Sequence, residues 1–150
     1  MNVIPTLEGG LVIQAEDESD WVILETICTD VGRPAHLAES LAGLMDEESD
    51  WEEFVVPELE QNFNGQCSFV QRVIEDAREN NGRAVFIKKH EAEQWYGALN
   101  QARLSLQARY DLHGVKDFDD APAELRSAYF RDRFYLQLQS LLLEYVMDEE

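Results

Sequence analysis

Between residues 121 and 147 apolar side chains recur so densely that one narrow polar stripe remains. At about 100° per residue, Arg126, Arg133, Gln137, Ser140 and Glu144 share that stripe. Leu125, Ala128, Tyr129, Tyr135, Leu136, Leu142, Leu143, Val146 and Met147 crowd one side of it, and Phe130, Phe134, Leu138, Leu141 and Tyr145 fill much of the other. The pattern predicts a long C-terminal helix buried by several neighbours. Residues 91–112 predict the helix before it, with Trp95, Leu99, Ala102, Leu106 and Tyr110 on one stripe and Gly97, Leu104 and Ala108 on a thinner one roughly opposite. Two stripes imply two contacts.

The pattern upstream is shorter in period. Residues 10–15 follow a Gly pair and read as a strand, and Glu16-Asp17-Glu18-Ser19-Asp20 supplies N-cap candidates for a helix running to about Val31. In that helix Trp21, Ile23, Leu24, Ile27, Cys28 and Val31 share one arc, with Glu25, Thr26, Thr29 and Asp30 opposite. Gly32 closes it, and Pro34 opens a short helix through Leu37, Leu41, Leu44 and Met45. The acidic run 46–53 suits the start of a third helix, and Pro57 the first turn of another through Leu59 and Phe63. Asn64-Gly65 then punctuates the chain before a stripe of Phe69, Val70, Val73, Ile74 and Ala77, which Asn80-Asn81-Gly82 ends. Ala84-Val85-Phe86-Ile87 is short and β-prone, so it pairs with Leu11–Gln14 as a two-stranded ribbon packed on helices. The expected fold is therefore mainly α: a single-domain helical bundle, residues 1–150, around a long C-terminal helix, with a small β-ribbon.

Charge adds a polarity to this picture. The 31 acidic residues outweigh 12 basic ones, a formal net charge of −19. Residues 1–71 hold 16 of the acids against Arg33 alone, whereas residues 72–150 hold 15 acids against 11 bases. A field of that sign opposes nucleic acid and anionic membranes and favours a basic protein partner. No run approaches the roughly 18 apolar residues of a membrane span, and no basic n-region or apolar h-region opens the chain. With Cys28 and Cys67 as the only cysteines, the expectation is a reduced, cytoplasmic protein. Oligomeric state is left open by the sequence.

Catalytic patterns do not emerge. His36, His90 and His113 are far apart, and His90 with Glu93 has no second His-Glu pair to complete a metal site. The acidic run 46–53 lacks the alternating ligands and turn Gly of a calcium loop. There is no Gly-x-Ser-x-Gly elbow, no His-Glu-x-x-His and no phosphate-binding Gly-rich loop. Neither catalytic residues, metal ligands nor a cofactor are expected. The unusual polar positions are those that break apolar faces. Asp132 and Gln139 lie about 20° apart on the final helix, amid Leu125, Leu136 and Leu143, and Arg103 borders the main stripe of the helix before it. Buried polar groups require partners, so Arg103 is expected to meet Asp132, Gln139 or both.

Several of these positions also carry a family likeness. Trp95, then Ala98-Leu99-Asn100, Arg103-Leu104, Leu106 and Arg109, resembles the Trp…Leu-Asn-x-x-Arg-Leu-x-Leu-x-x-Arg helix of an uncharacterised bacterial domain-of-unknown-function family. Phe134-Tyr135, Leu138-Gln139 and Leu142 look like its C-terminal aromatic-Leu-Gln helix, while Gln101, Gln107, Ala108 and, in place of a Trp, Phe134 depart from the pattern. The resemblance implies a small helical cytosolic protein whose family members are often encoded beside the Clp protease adaptor, hence a link to regulated proteolysis. It marks Asn100, Arg103, Arg109 and Gln139 as the family-like polar positions.

Two functions are compatible with all of this. One is a non-enzymatic interaction or regulatory protein with an acidic N-terminal surface. The other is a small-ligand-binding protein or enzyme with a polar pocket around Arg103, Asn100 and Gln139. Asn100, Arg103, Arg109, Asp132 and Gln139 are the candidate binding residues, and a buried pair that fixes helix register is the structural alternative for them.

Overall fold

A computed structural model describes residues 1–31, 56–80, 83–112 and 121–147. Three short strands, β1 (Asn2–Pro5), β2 (Leu11–Gln14) and β3 (Ala84–Ile87), accompany four helices, α1 (Glu18–Val31), α2 (Val56–Asn80), α3 (Ala92–Arg109) and α4 (Ala123–Leu142). A 3-10 turn, Lys89–Glu91, precedes α3, and a π-helical turn, Leu143–Met147, prolongs α4. The chain is mainly helical, with the long C-terminal helix in place. The expected short helix of residues 34–45, the acidic run 46–53, His36 and His113 lie outside the described residues.

The β-ribbon needs correcting to a three-stranded antiparallel sheet in the order β1-β2-β3. β2 pairs with β3 as expected, Leu11 opposite Ile87 and Ile13 opposite Val85, and β1 adds itself to the free edge of β2, Val3 opposite Ile13. The first strand escaped notice because its sequence, Asn-Val-Ile-Pro, holds only two β-formers and ends in Pro, which only an edge strand tolerates. One sheet face is covered: Leu11, Ile13, Val85 and Ile87 are buried while Phe86 and Ile4 between them are exposed. The β1–β2 connection is held by Thr6, whose N–H donates to the Gly10 carbonyl at 2.9 Å and whose Oγ1 accepts from the Gly10 N–H at 3.0 Å. Gly9 takes φ +91 in this turn, and a Cβ on Gly10 would run into the Ile87 carbonyl oxygen. Gly10→Ala is accordingly expected to lower the unfolding free energy by about 1–3 kcal/mol, the range for overpacking, read as a lower urea midpoint.

Asp17 caps α1, its Oδ1 accepting the Asp20 N–H at 3.1 Å; the Ser19 hydroxyl that donates to the same oxygen holds its carboxyl below the usual range. α2 is one unbroken helix, not two divided at Asn64-Gly65. Gly65 is exposed, with open space where a Cβ would stand. A mid-helix glycine costs about 1 kcal/mol relative to alanine, which the stripe at Val70 and Ile74, both buried, offsets by packing.

α3 is the most surrounded element, touching α1, α2 and α4. Trp95, Ala98, Leu99, Ala102 and Leu106 on it are wholly buried. α4 is less enclosed than its apolar girth implied. Its Ala128, Tyr135, Leu138 and Leu142 are buried, but Phe130 is 63% exposed, and Leu143 and Tyr145 in the π-helical turn that follows are about half exposed. α1 and α4 are joined mainly through side chains, and the groups that join them are polar.

Candidate functional site

Two polar clusters hold α4, and the first is the one expected from the sequence. Arg103 Nε on α3 donates to Asp132 Oδ1 at 3.2 Å and Arg103 Nη1 donates to Gln139 Oε1 at 2.9 Å. Gln107, one turn along α3, adds a long contact of 3.5 Å from Nε2 to the same Asp132 oxygen. Gln139 and Asp132 are buried, and the Arg103 side chain keeps 21% of its surface. Asp132 and Gln139, seven residues apart on one helix, fall on one line facing α3; Arg103 spans that line with its planar fork. The geometry is a clamp between two helices, with the guanidinium capped by protein.

Asn100 is not brought to this group; its side chain is exposed on α3. Arg109 belongs to the second cluster, centred on Asp30, which lies on the polar side of α1 yet is only 3% exposed. Arg131 of α4 grips that carboxylate with two donors, Nε to Oδ2 at 2.7 Å and Nη2 to Oδ1 at 3.2 Å. The Tyr135 hydroxyl, one turn further along α4, donates to Oδ2 at 2.6 Å and meets Thr26 Oγ1 at 2.8 Å. Arg109 Nη2 donates to the Asp30 backbone carbonyl at 2.9 Å and lies 3.6 Å from Oδ1. A carboxylate near a helix C-terminus opposes the helix dipole. Two guanidinium groups reverse that, and Arg109 also satisfies a carbonyl that the end of α1 leaves without a helical partner.

The electrostatics of this second cluster follow from its burial and pairing. Burial, then donation to the Asp30 carboxylate, pushes the Tyr135 hydroxyl far above its ordinary ionisation range. For Arg131 burial works against the cation, but the Asp30 carboxylate outweighs it and the guanidinium holds its proton more firmly than usual. Neither group is poised to exchange protons near neutral pH.

Sequence reasoning missed Asp30, Arg131 and Thr26. The wheel places Asp30 and Thr26 away from the apolar arc of α1, and their partners come from α4, about a hundred residues later in the chain. The available signal was the i, i+4 spacing of Arg131 and Tyr135, a charge and a hydroxyl on one face of an apolar helix.

Beside this junction α1 and α4 leave a cleft of about 590 Å³. Val22, Ile23, Phe130 and Phe134 form apolar walls, and Arg126 and Ser127 of α4 contribute polar groups. The cysteines face one another across α1 and α2, Cys28 Sγ donating to the Cys67 carbonyl at 3.1 Å, and both are free. Contact with Cys67, together with burial, pushes the Cys28 thiol up, so it is protonated and a poor nucleophile at neutral pH. His90 is exposed beside Glu91. Among the described residues no group of three or more His, Cys, Asp or Glu side chains is placed to hold a metal ion, and no helix is long and apolar enough to cross a membrane.

No curated protein and no solved structure matches the chain. A family model does match, over residues 45–146, which takes in α2, β3, α3 and α4 and so the Arg103 clamp, Arg109, Arg131 and Tyr135. Asp30 and the α1 wall of the cleft precede the matched span. The chain belongs to the family described as Domain of unknown function (DUF2017).

Proposed function

We propose that this is a non-enzymatic, cytoplasmic interaction or regulatory protein of bacterial origin, whose acidic surface takes a basic protein partner in preference to nucleic acid or membrane. The observation that carries the reading is the face made by α1 and α2. Glu18 and Glu25 of α1 and Glu75, Asp76 and Glu79 of α2 are all exposed, against only Arg72 and Arg78 on the same two described helices. Arg78 is already committed, Nη1 donating to Glu25 at 2.5 Å and Nη2 to Glu18. The surplus carboxylates on α2 are left to a partner, and the acidic excess of residues 1–71 reinforces their field. Arg103, Asp132, Gln139 and Arg109, by contrast, are engaged with protein groups, which supports a scaffold role for them. The link to regulated proteolysis is the part of the proposal that rests on the family resemblance.

The test is capture of partners by the immobilised full-length protein at low and high ionic strength. Basic proteins are expected to bind at low salt and to be lost at high salt. Recovery should also fall in the triple variant Glu75→Gln, Asp76→Asn, Glu79→Gln. An identical set of partners at both salt concentrations overturns the electrostatic reading. The small-ligand reading finds its support away from Asn100 and Arg103, at the α1–α4 cleft.

A further inference from the structure

The cleft between α1 and α4 lies beside the polar junction that Asp30, Arg131, Tyr135 and Thr26 form between the two helices. Its volume of about 590 Å³ falls within the range of small-molecule sites, roughly 300–1,000 Å³, which combine apolar walls with a few convergent polar groups. Val22 and Phe130 are 50% and 63% exposed there, so apolar surface lines the cleft.

Arg126 sets the chemistry. Its Nε is buried and has no hydrogen-bond partner among the described residues. Arg78, Arg103, Arg109 and Arg131 each face a carboxylate within hydrogen-bonding or ion-pairing distance; Arg126 pairs with none among the described residues. A buried donor on a permanent cation is satisfied best by an anionic acceptor. Ser127 Oγ accepts from Arg131 Nη1 at 2.5 Å, which leaves its own hydroxyl proton available to the cleft. Ala123, in the first turn of α4, also lines the cleft, and Pro122 at the N-cap offers no side-chain acceptor to that turn. The positive end of the α4 dipole therefore lies on the same side as Arg126.

We propose that the α1–α4 cleft binds a small amphipathic carboxylate, its acyl chain lying against Val22, Ile23, Phe130 and Phe134 and its carboxylate accepting from Arg126 and Ser127. Each methylene that enters the cleft then tightens binding about fourfold. The charged head adds a further factor of at least about ten over an uncharged one. Arg103 and Gln139 take no part.

Calorimetric titration of the full-length protein with hexanoate, octanoate and decanoate, and with octanol as the neutral control, tests this. The proposal predicts one site per chain, affinity rising with chain length, and octanoate bound at least about tenfold more tightly than octanol. Arg126→Gln should remove that tenfold preference. Phe130→Ala, which removes part of the apolar wall, should weaken both ligands. The proposal is overturned by the absence of saturable binding, by equal affinity for octanoate and octanol, or by a carboxylate affinity that Arg126→Gln leaves unchanged. Sedimentation separates the remaining case: a dimer of the free protein that Phe130→Ala dissociates means that the cleft is covered by a second copy of the chain, and overturns it too.

Discussion

Asp30→Ala should lower the unfolding free energy by about 3–5 kcal/mol, the loss typical of removing one partner from a buried ion pair. The substitution strands Arg131, whose side chain is one-fifth exposed, and leaves the Tyr135 hydroxyl facing an apolar methyl where it had a carboxylate acceptor. Arg109 contributes little to that loss. Its side chain is 47% exposed and its shorter bond is to the Asp30 backbone carbonyl, which the variant keeps. Combining Asp30→Ala with Arg131→Met should recover much of the loss, since the unpaired charge is the main penalty. Urea unfolding at neutral pH provides the measurement. A midpoint equal to that of the unaltered protein would mean that Asp30 does not tie α1 to α4.

The second large effect is expected at the Arg103 clamp. Arg103→Met should lose about 2–3 kcal/mol, below the roughly 3–5 kcal/mol typical of breaking a fully buried pair. The reduction follows from exposure: 21% of the Arg103 side chain and 11% of the Asp132 side chain remain in contact with water, so solvent solvates part of what the variant leaves unpaired. Gln139 is only 3% exposed and loses its acceptor role without replacement, which accounts for part of the loss. An unchanged denaturation midpoint would free Arg103 for a ligand role.

The legible parts of this fold were those written in local periodicity. The stripe Trp95, Leu99, Ala102 and Leu106 located α3 and its burial, and the polar interruptions Asp132 and Gln139 located the clamp, because a polar residue within an apolar arc requires a partner. The less legible parts depended on what approached from elsewhere. Phe130 reads as core on a helical wheel, yet it is 63% exposed and lines the cleft beside the α1–α4 junction. Asp30 reads as solvent-facing, yet it is buried because α4 closes over the polar side of α1. Gly65 reads as a break, but a glycine on the exposed side of a long helix needs no turn. β1 was invisible because an edge strand of four residues has little alternation to detect.

A double-mutant cycle on Arg103 and Asp132 bears most directly on whether the interior polar residues are scaffold and not site. The unfolding free energies of the unaltered protein, Arg103→Met, Asp132→Leu and the double variant supply it. If the residues form a structural clamp, the two single losses are strongly non-additive, by about 1–3 kcal/mol, and the double variant is more stable than Arg103→Met alone because no carboxylate is left unpaired at Asp132. Gln139 remains without Arg103 in both, so recovery stops short of complete. Losses that add to within about 0.5 kcal/mol, or single variants as stable as the unaltered protein, would contradict the clamp.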